Sequence, residues 1–103
     1  MKKVDAEKLV RHPVRVQIVA LLADQTMSPK DLADQTGVTL GTVAYHVRTM
    51  EKFGAIRLAK TRPVRGAIEH FYTLRTPARE PIKTALTKMS KERSAAENAL
   101  TIL

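Results

Sequence analysis

No cysteine occurs anywhere in the chain, which excludes disulfides, thiolate metal sites and a cysteine nucleophile. Tryptophan is also missing, and two Phe and two Tyr are the only large aromatics, so any core must be aliphatic. No apolar run is long enough to cross a bilayer, and Met1-Lys2-Lys3 is not followed by the apolar stretch of a signal peptide. The expected location is therefore the cytoplasm, in association with the nucleoid. Glycine-rich phosphate loops, GxSxG patterns and paired-carboxylate constellations are absent, so the chain does not read as an enzyme. His12, His46 and His70 lie 34 and 24 residues apart, without an HxxxH or HExxH pattern. They read as structural histidines, with no metal and no cofactor expected.

What is present is positive charge. Eighteen Lys and Arg face ten Asp and Glu, a formal net charge of +8, within 103 residues that suffice for one domain. Such a balance points to a polyanionic partner, first of all nucleic acid. A membrane surface is second, and no basic amphipathic helix with bulky aromatic anchors supports it.

The stretch from Thr39 to Gly54 organises the rest. Leu40, Val43, Val47 and Met50 recur at the helical period on one side, and Gly41, Thr42, Tyr45, Arg48, Thr49 and Lys52 fall on the other. Thr39 can cap the helix, and Gly54 can end it in a left-handed residue. A face of hydroxyls, a phenol and two cations suits phosphates and base edges, and it also suits plain solvent. The flanking segments decide between the two.

Residues 4–11 read as a short first helix, ended by His12-Pro13. Residues 13–24 read as a central helix with Val14, Ile18, Leu21 and Leu22 inward, and with Arg15 and Gln17 on phosphate or, more simply, in solvent. Met27 is placed to pair at a sheet edge. Ser28, Pro29 and Asp31 give the start signal of a third helix over 29–36. Ala33, Gly37 and Val43 then meet the needs of a helix-turn-helix. These are a small residue at the crossing, a positive-φ residue in the turn and a branched residue locking the second helix. Leu32, Val38, Leu40 and Val47 complete that core.

Beyond Gly54, residues 55–60 and 68–74 alternate as two strands, joined by TRPVRGA as a loop. From Lys52 to Ile68 there are five cations and no acid. A basic loop of this kind can lie on a DNA backbone or enter the minor groove, although a soluble basic loop has the same composition. A last helix over roughly 80–102 carries Ile82, Leu86, Met89, Arg93, Ala96, Leu100 and Leu103 in alternating steps of four and three, the seam of a coiled coil. It can pack on its own core or on a partner chain, and the partner is preferred because the winged unit already closes a core.

With these residues in view, the chain resembles the ArsR-like family of small winged-helix transcriptional regulators over about residues 9–75. HPVRVQIVALL at 12–22 is similar to the family's HP-x-R-x-x-I-x-x-x-L helix. Leu32-Ala33 through Gly37-Val38, then Thr42 to Val47 and Phe53 to Ile56, resemble its helix-turn-helix core, and Phe71 to Leu74 its closing wing strand. The resemblance implies a dimer that binds operator DNA as a repressor, with terminal helices at the dimer interface. It also places a histidine at position 46. Ala44 stands where a hydroxyl residue is common. Founding members sense metals through cysteines, or through Asp and His on paired C-terminal helices. This chain has no Cys, and 76–103 hold neither Asp nor His, so metal sensing is not carried over.

The expected fold is thus mainly α with a small β-hairpin wing, a winged helix-turn-helix over 4–75 followed by a dimerisation helix over 76–103. The expected DNA contacts are Thr39, Gly41, Thr42, Tyr45, His46, Arg48 and Lys52 from the helix, and Arg62 and Arg65 from the wing. Dimerisation is expected through Ile82, Leu86, Met89, Ala96, Leu100 and Leu103. The rival functions are a non-specific architectural DNA binder and a winged-helix module that docks another protein.

Overall fold

The computed structural model describes residues 4–102; Leu103 of the expected seam lies outside them. Four short helices come first: α1 (Ala6–Leu9), α2 (Pro13–Leu22), α3 (Pro29–Thr36) and α4 (Leu40–Lys52). A two-stranded antiparallel sheet follows, β1 (Ile56–Val64) and β2 (Ala67–Leu74). A 3-10 turn (Thr76–Ala78) then leads into the long helix α5 (Arg79–Ile102).

Local chemistry sets the boundaries. Pro13 opens α2 at a position whose amide would have no helical partner. Ser28 Oγ accepts from the Asp31 amide, and the Asp31 carboxylate accepts from the Ser28 amide, each at 3.1 Å. This reciprocal cap starts α3 where the sequence places it. Gly37, at φ +73°, ends the helix by donating its N–H to the Ala33 carbonyl at 2.9 Å. Met27 exchanges backbone hydrogen bonds with Tyr72 at 3.1 and 2.9 Å, so the segment before α3 pairs with the outer edge of β2.

The core is aliphatic. Leu9, Ile18, Leu22, Leu32, Val43, Met50 and Ile56 are buried at or below 1% exposure, with Val47 and Leu74 beside them. It does not stop at residue 75. Ile82 and Ala85, on the first turns of α5, belong to the same buried cluster, and α5 packs along α1. The winged unit therefore does not close its core without α5, and Ile82, expected at a partner interface, is 2% exposed inside its own protomer. Burying such a side chain contributes roughly 1.5–3 kcal/mol. From Thr87 to Ile102 every residue of α5 is exposed.

Three further expectations differ from the structure. The inward stripe of α2 is Arg15, Ile18, Val19 and Leu22; of the expected four, Ile18 and Leu22 are fully buried, whereas Val14 and Leu21 pack against the core only partly buried. Leu40, expected in the core, is 52% exposed, because α4 is anchored through Val43, His46, Val47 and Met50 and Leu40 lies at the helix end beyond that stripe. The long wing loop is absent. The strands run on to Val64 and Ala67, and Arg65-Gly66 alone make the turn, at φ +46° and +81°. Positive φ at both central residues is the hairpin turn whose twist matches the strands, and Gly66 suits it.

Candidate nucleic-acid interface

Helix α4 is held rigidly from below. Val43 and Met50 are fully buried, and Val47 is nearly so. This presents the opposite side outward, and Thr39, Gly41, Thr42, Tyr45, Arg48 and Lys52 are all exposed. Tyr45 is 55% exposed, a large aromatic turned to solvent beside the first turn. Thr39 does not cap the helix. Its hydroxyl donates instead to Thr42 Oγ1 at 3.0 Å, so the first-turn amides have no side-chain cap. A β-carbon at Gly41 would meet no atom within 4 Å, so nothing inside the protomer requires glycine there.

His46 is different from its neighbours. It is 9% exposed, and its Nδ1 accepts a hydrogen bond from Arg15 Nε at 3.0 Å. Of the packing and phosphate roles expected for it, the structure shows packing. Burial holds the imidazole pKa below its ordinary 6.5, with the Arg15 charge and His12 adding to the effect. The neutral ring therefore carries its proton on Nε2. Arg15, itself only 4% exposed, also lays its guanidinium 5.6 Å from the Phe53 ring centroid. One cation from α2 thus ties the middle of α4 to the residue that ends it.

Sequence reasoning missed Arg15 because hydropathy assigns an arginine to solvent. The signal was present in the spacing, since 15, 18, 19 and 22 make an uninterrupted i, i+3, i+4, i+7 stripe.

The wing has a packed base and a bare end. Ile56, Phe71 and Leu74 are buried, whereas every residue from Thr61 to Ile68 is exposed. Lys60 Nζ and the Arg62 guanidinium lie 5.0 and 5.3 Å from the Phe71 ring centroid. Arg62 also pairs with Glu69 at 2.6 Å, an acid just beyond the acid-free run and opposite Arg62 in the strand register. Arg62 is thereby held along the strand, whereas Arg65 stands at the turn. The two expected wing contacts therefore sit on one element but in different settings.

The structure brings the α4 residues and the wing cations onto neighbouring elements. β1 begins four residues after α4 ends and packs against it. Among the described residues, no three His, Asp or Glu side chains gather into a possible metal site, and no helix is long and apolar enough to cross a membrane.

A helix-turn-helix domain family matches residues 11–59, from the start of α2 to the first strand. The fold is that of a winged helix-turn-helix. Solved structures repeat the architecture. Reduced HlyU from Vibrio cholerae is 22% identical, with a TM-score of 0.61 over 75% of this chain and 77% of its own. The transcriptional repressor BigR from Xylella fastidiosa is 24% identical, with a TM-score of 0.57 over 78% and 74%. A PadR family transcription regulator from Clostridium difficile is 14% identical, with a TM-score of 0.69 over 86% of this chain and 99% of its own. At these identities the likeness is one of fold. No curated protein matches the sequence.

Proposed function

We propose that the chain is a sequence-specific double-stranded DNA-binding transcriptional regulator, a repressor acting as a homodimer on a palindromic operator in the cytoplasm. The observation that carries this reading is a helix locked by four buried residues with its polar face bare, next to a projecting hairpin rich in cations. In this arrangement α4 enters the major groove, where Thr42 and Tyr45 meet base edges and Gly41 lets the backbone come close. Thr39, Arg48 and Lys52 take phosphates, which fix register without reading sequence. Arg62 and Arg65 place the wing on the adjacent backbone or minor groove. His46 acts from beneath, holding α4 on α2.

The second half of α5 supports a dimer. Over its last 16 described residues, about 24 Å of helix, it touches nothing that buries it, and Leu100 and Ile102 are 74% and 84% exposed. A partner copy of α5 would cover Leu86, Met89, Ala96 and Leu100, while Ile82 stays with its own core. The dimer axis then relates two copies of α4, which predicts half-sites about one helical turn (~34–36 Å) apart, or a multiple of it. Repression would follow from occupying promoter DNA.

Selection of bound duplexes from a random library at two salt concentrations tests the reading. A palindromic motif that persists at high salt supports it. Uniform, salt-sensitive recovery would replace it with an architectural DNA binder, and no recovery at either salt would point to a protein partner.

A further inference from the structure

The bare end of the wing is not uniformly polar. Ile68 is 63% exposed and Val64 41%, and Pro63 is exposed beside them. In the strand register Val64 faces Ala67 and Pro63 faces Ile68. Beyond a two-residue turn the first pair exchanges both ladder hydrogen bonds and the second exchanges none. Pro63 therefore sits where its missing N–H costs nothing, and where facing side chains approach most closely. Pro63 and Ile68 form one apolar knob on one face of the ribbon. Arg62 and Arg65 flank it along the chain, with Lys60 and Arg57 nearer the base. The fold makes no use of this knob: the buried part of β2 begins at Phe71. A solvated ribbon needs residues of high strand propensity, and threonine would serve as well as isoleucine.

We propose that the Pro63–Ile68 knob is a wedge that enters the minor groove, partly unstacks one base step and kinks the duplex. This rests on the DNA-binding reading above and extends it. Minor-groove proteins bend DNA by placing Ile, Leu, Phe, Met or Pro between base steps, with cations alongside on the phosphates. The wing supplies both, and its base is continuous with α4. The preferred site carries a flexible pyrimidine–purine step beneath the wing, because such steps unstack most easily. A lipid surface fits the knob less well, since the ribbon end has no Trp, Tyr or Phe to anchor at a membrane interface.

The test uses the whole protein and the duplex recovered by selection, cut to about 30 base pairs and labelled at both ends for energy transfer. The intact protein should shorten the end-to-end distance on binding. Ile68→Thr, which keeps strand propensity, should bind about tenfold more weakly with the same salt slope and leave the duplex nearly straight. The melting temperature of the free Ile68→Thr protein should be unchanged, and Ile68→Val should retain the bend. Replacing the pyrimidine–purine step by a stiff A-tract should reduce the bend for the intact protein alone.

Equal bending by Ile68→Thr, or a straight duplex with the intact protein bound, would overturn the wedge while leaving sequence-specific binding in place. Failure of the intact protein to bind any duplex at either salt would remove both readings. A straight duplex together with Ile68-dependent retention on phosphatidylserine vesicles would overturn the wedge in favour of a membrane.

Discussion

Helix α4 and the wing present neighbouring basic surfaces, and they are held in opposite ways. The helix stands on Val43, His46, Val47 and Met50, all buried, so its outward residues inherit the rigidity of the core. The wing is anchored at its base, through the buried Ile56, Phe71 and Leu74 and the backbone pairing of Met27 with Tyr72, and beyond them it is a two-stranded ribbon in solvent. An isolated hairpin is marginally stable at best, so the ribbon end can adapt while the helix cannot. The difference suits a division of labour in which fixed side chains read base edges in the major groove and a more pliant arm engages the adjacent backbone and minor groove.

The sharpest way to break this contrast is to remove the helix's footing. Met50→Ala should cost about 2–5 kcal/mol, measured by urea denaturation, whereas Ile68→Thr should stay within about 0.5 kcal/mol of the intact protein. Equal losses would mean that the wing is part of the cooperative core. Next in size is Arg15→Ala, which leaves the buried His46 Nδ1 without its donor and should cost about 1–3 kcal/mol. Arg15→Lys should not restore the loss, because an ammonium cannot reproduce the planar guanidinium between His46 and Phe53.

The same pair gives a pH dependence. The folded pKa of His46 lies below its ordinary 6.5, so the unfolded chain takes up the proton first. His46 therefore contributes stability that is intact above pH 6.5 and is lost as the pH falls through the folded pKa. Urea midpoints followed from about pH 8 downward should show that loss, and His46→Gln should flatten it. An unchanged profile would separate His46 from the footing of α4.

Gly41→Ala should stabilise the free protein by roughly 0.5–1 kcal/mol, since nothing opposes the added methyl, and yet weaken operator binding in a titration. A gain in both would show that no backbone comes close to Gly41. The smallest effect on stability, and the broadest on binding, is expected of the wing cations. Charge reversal at Arg62 and Arg65 should weaken every duplex alike and flatten the salt slope by about one for each phosphate no longer neutralised. Thr42 and Tyr45 changes should instead alter which sequence is preferred. If the two sets act alike, the division between helix and wing fails.

Periodicity and capping make most of the fold legible. The span of α3 is readable from Ser28, Pro29, Asp31 and Gly37, because each of those residues has a backbone reason to be where it is. The crossing of α3 and α4 is readable from Ala33, Gly37 and Val43, which need only spacing. What is not legible has a common cause: hydropathy treats a side chain as if its surroundings were already known. It turns Arg15 outward although its place in the stripe is inward, and Leu40 inward although the helix has no neighbour at that end. It assigns Ile82 to a partner because nothing local reveals that α1 leaves a gap for it. The length of the wing strands depends on Arg65 accepting a positive φ, which composition alone suggests only for Gly66. Among the expected DNA contacts, Thr42, Tyr45, Arg48 and Lys52 stand outward as their wheel positions require, and His46 belongs beneath them.

Helix α5 is rooted in the core by Ile82 and Ala85 and continues without a break into its bare second half. In a dimer joined through that half, the helix is a lever arm whose fulcrum lies against α1. A small tilt at the root becomes a larger displacement at the far end, and conversely the far end sets how far apart two copies of α4 are carried. The spacing of the half-sites would then be written in the packing of Ile82 and Ala85, residues that never approach DNA. Anything that wedges between α1 and α5 would retune the regulator without touching its reading surface.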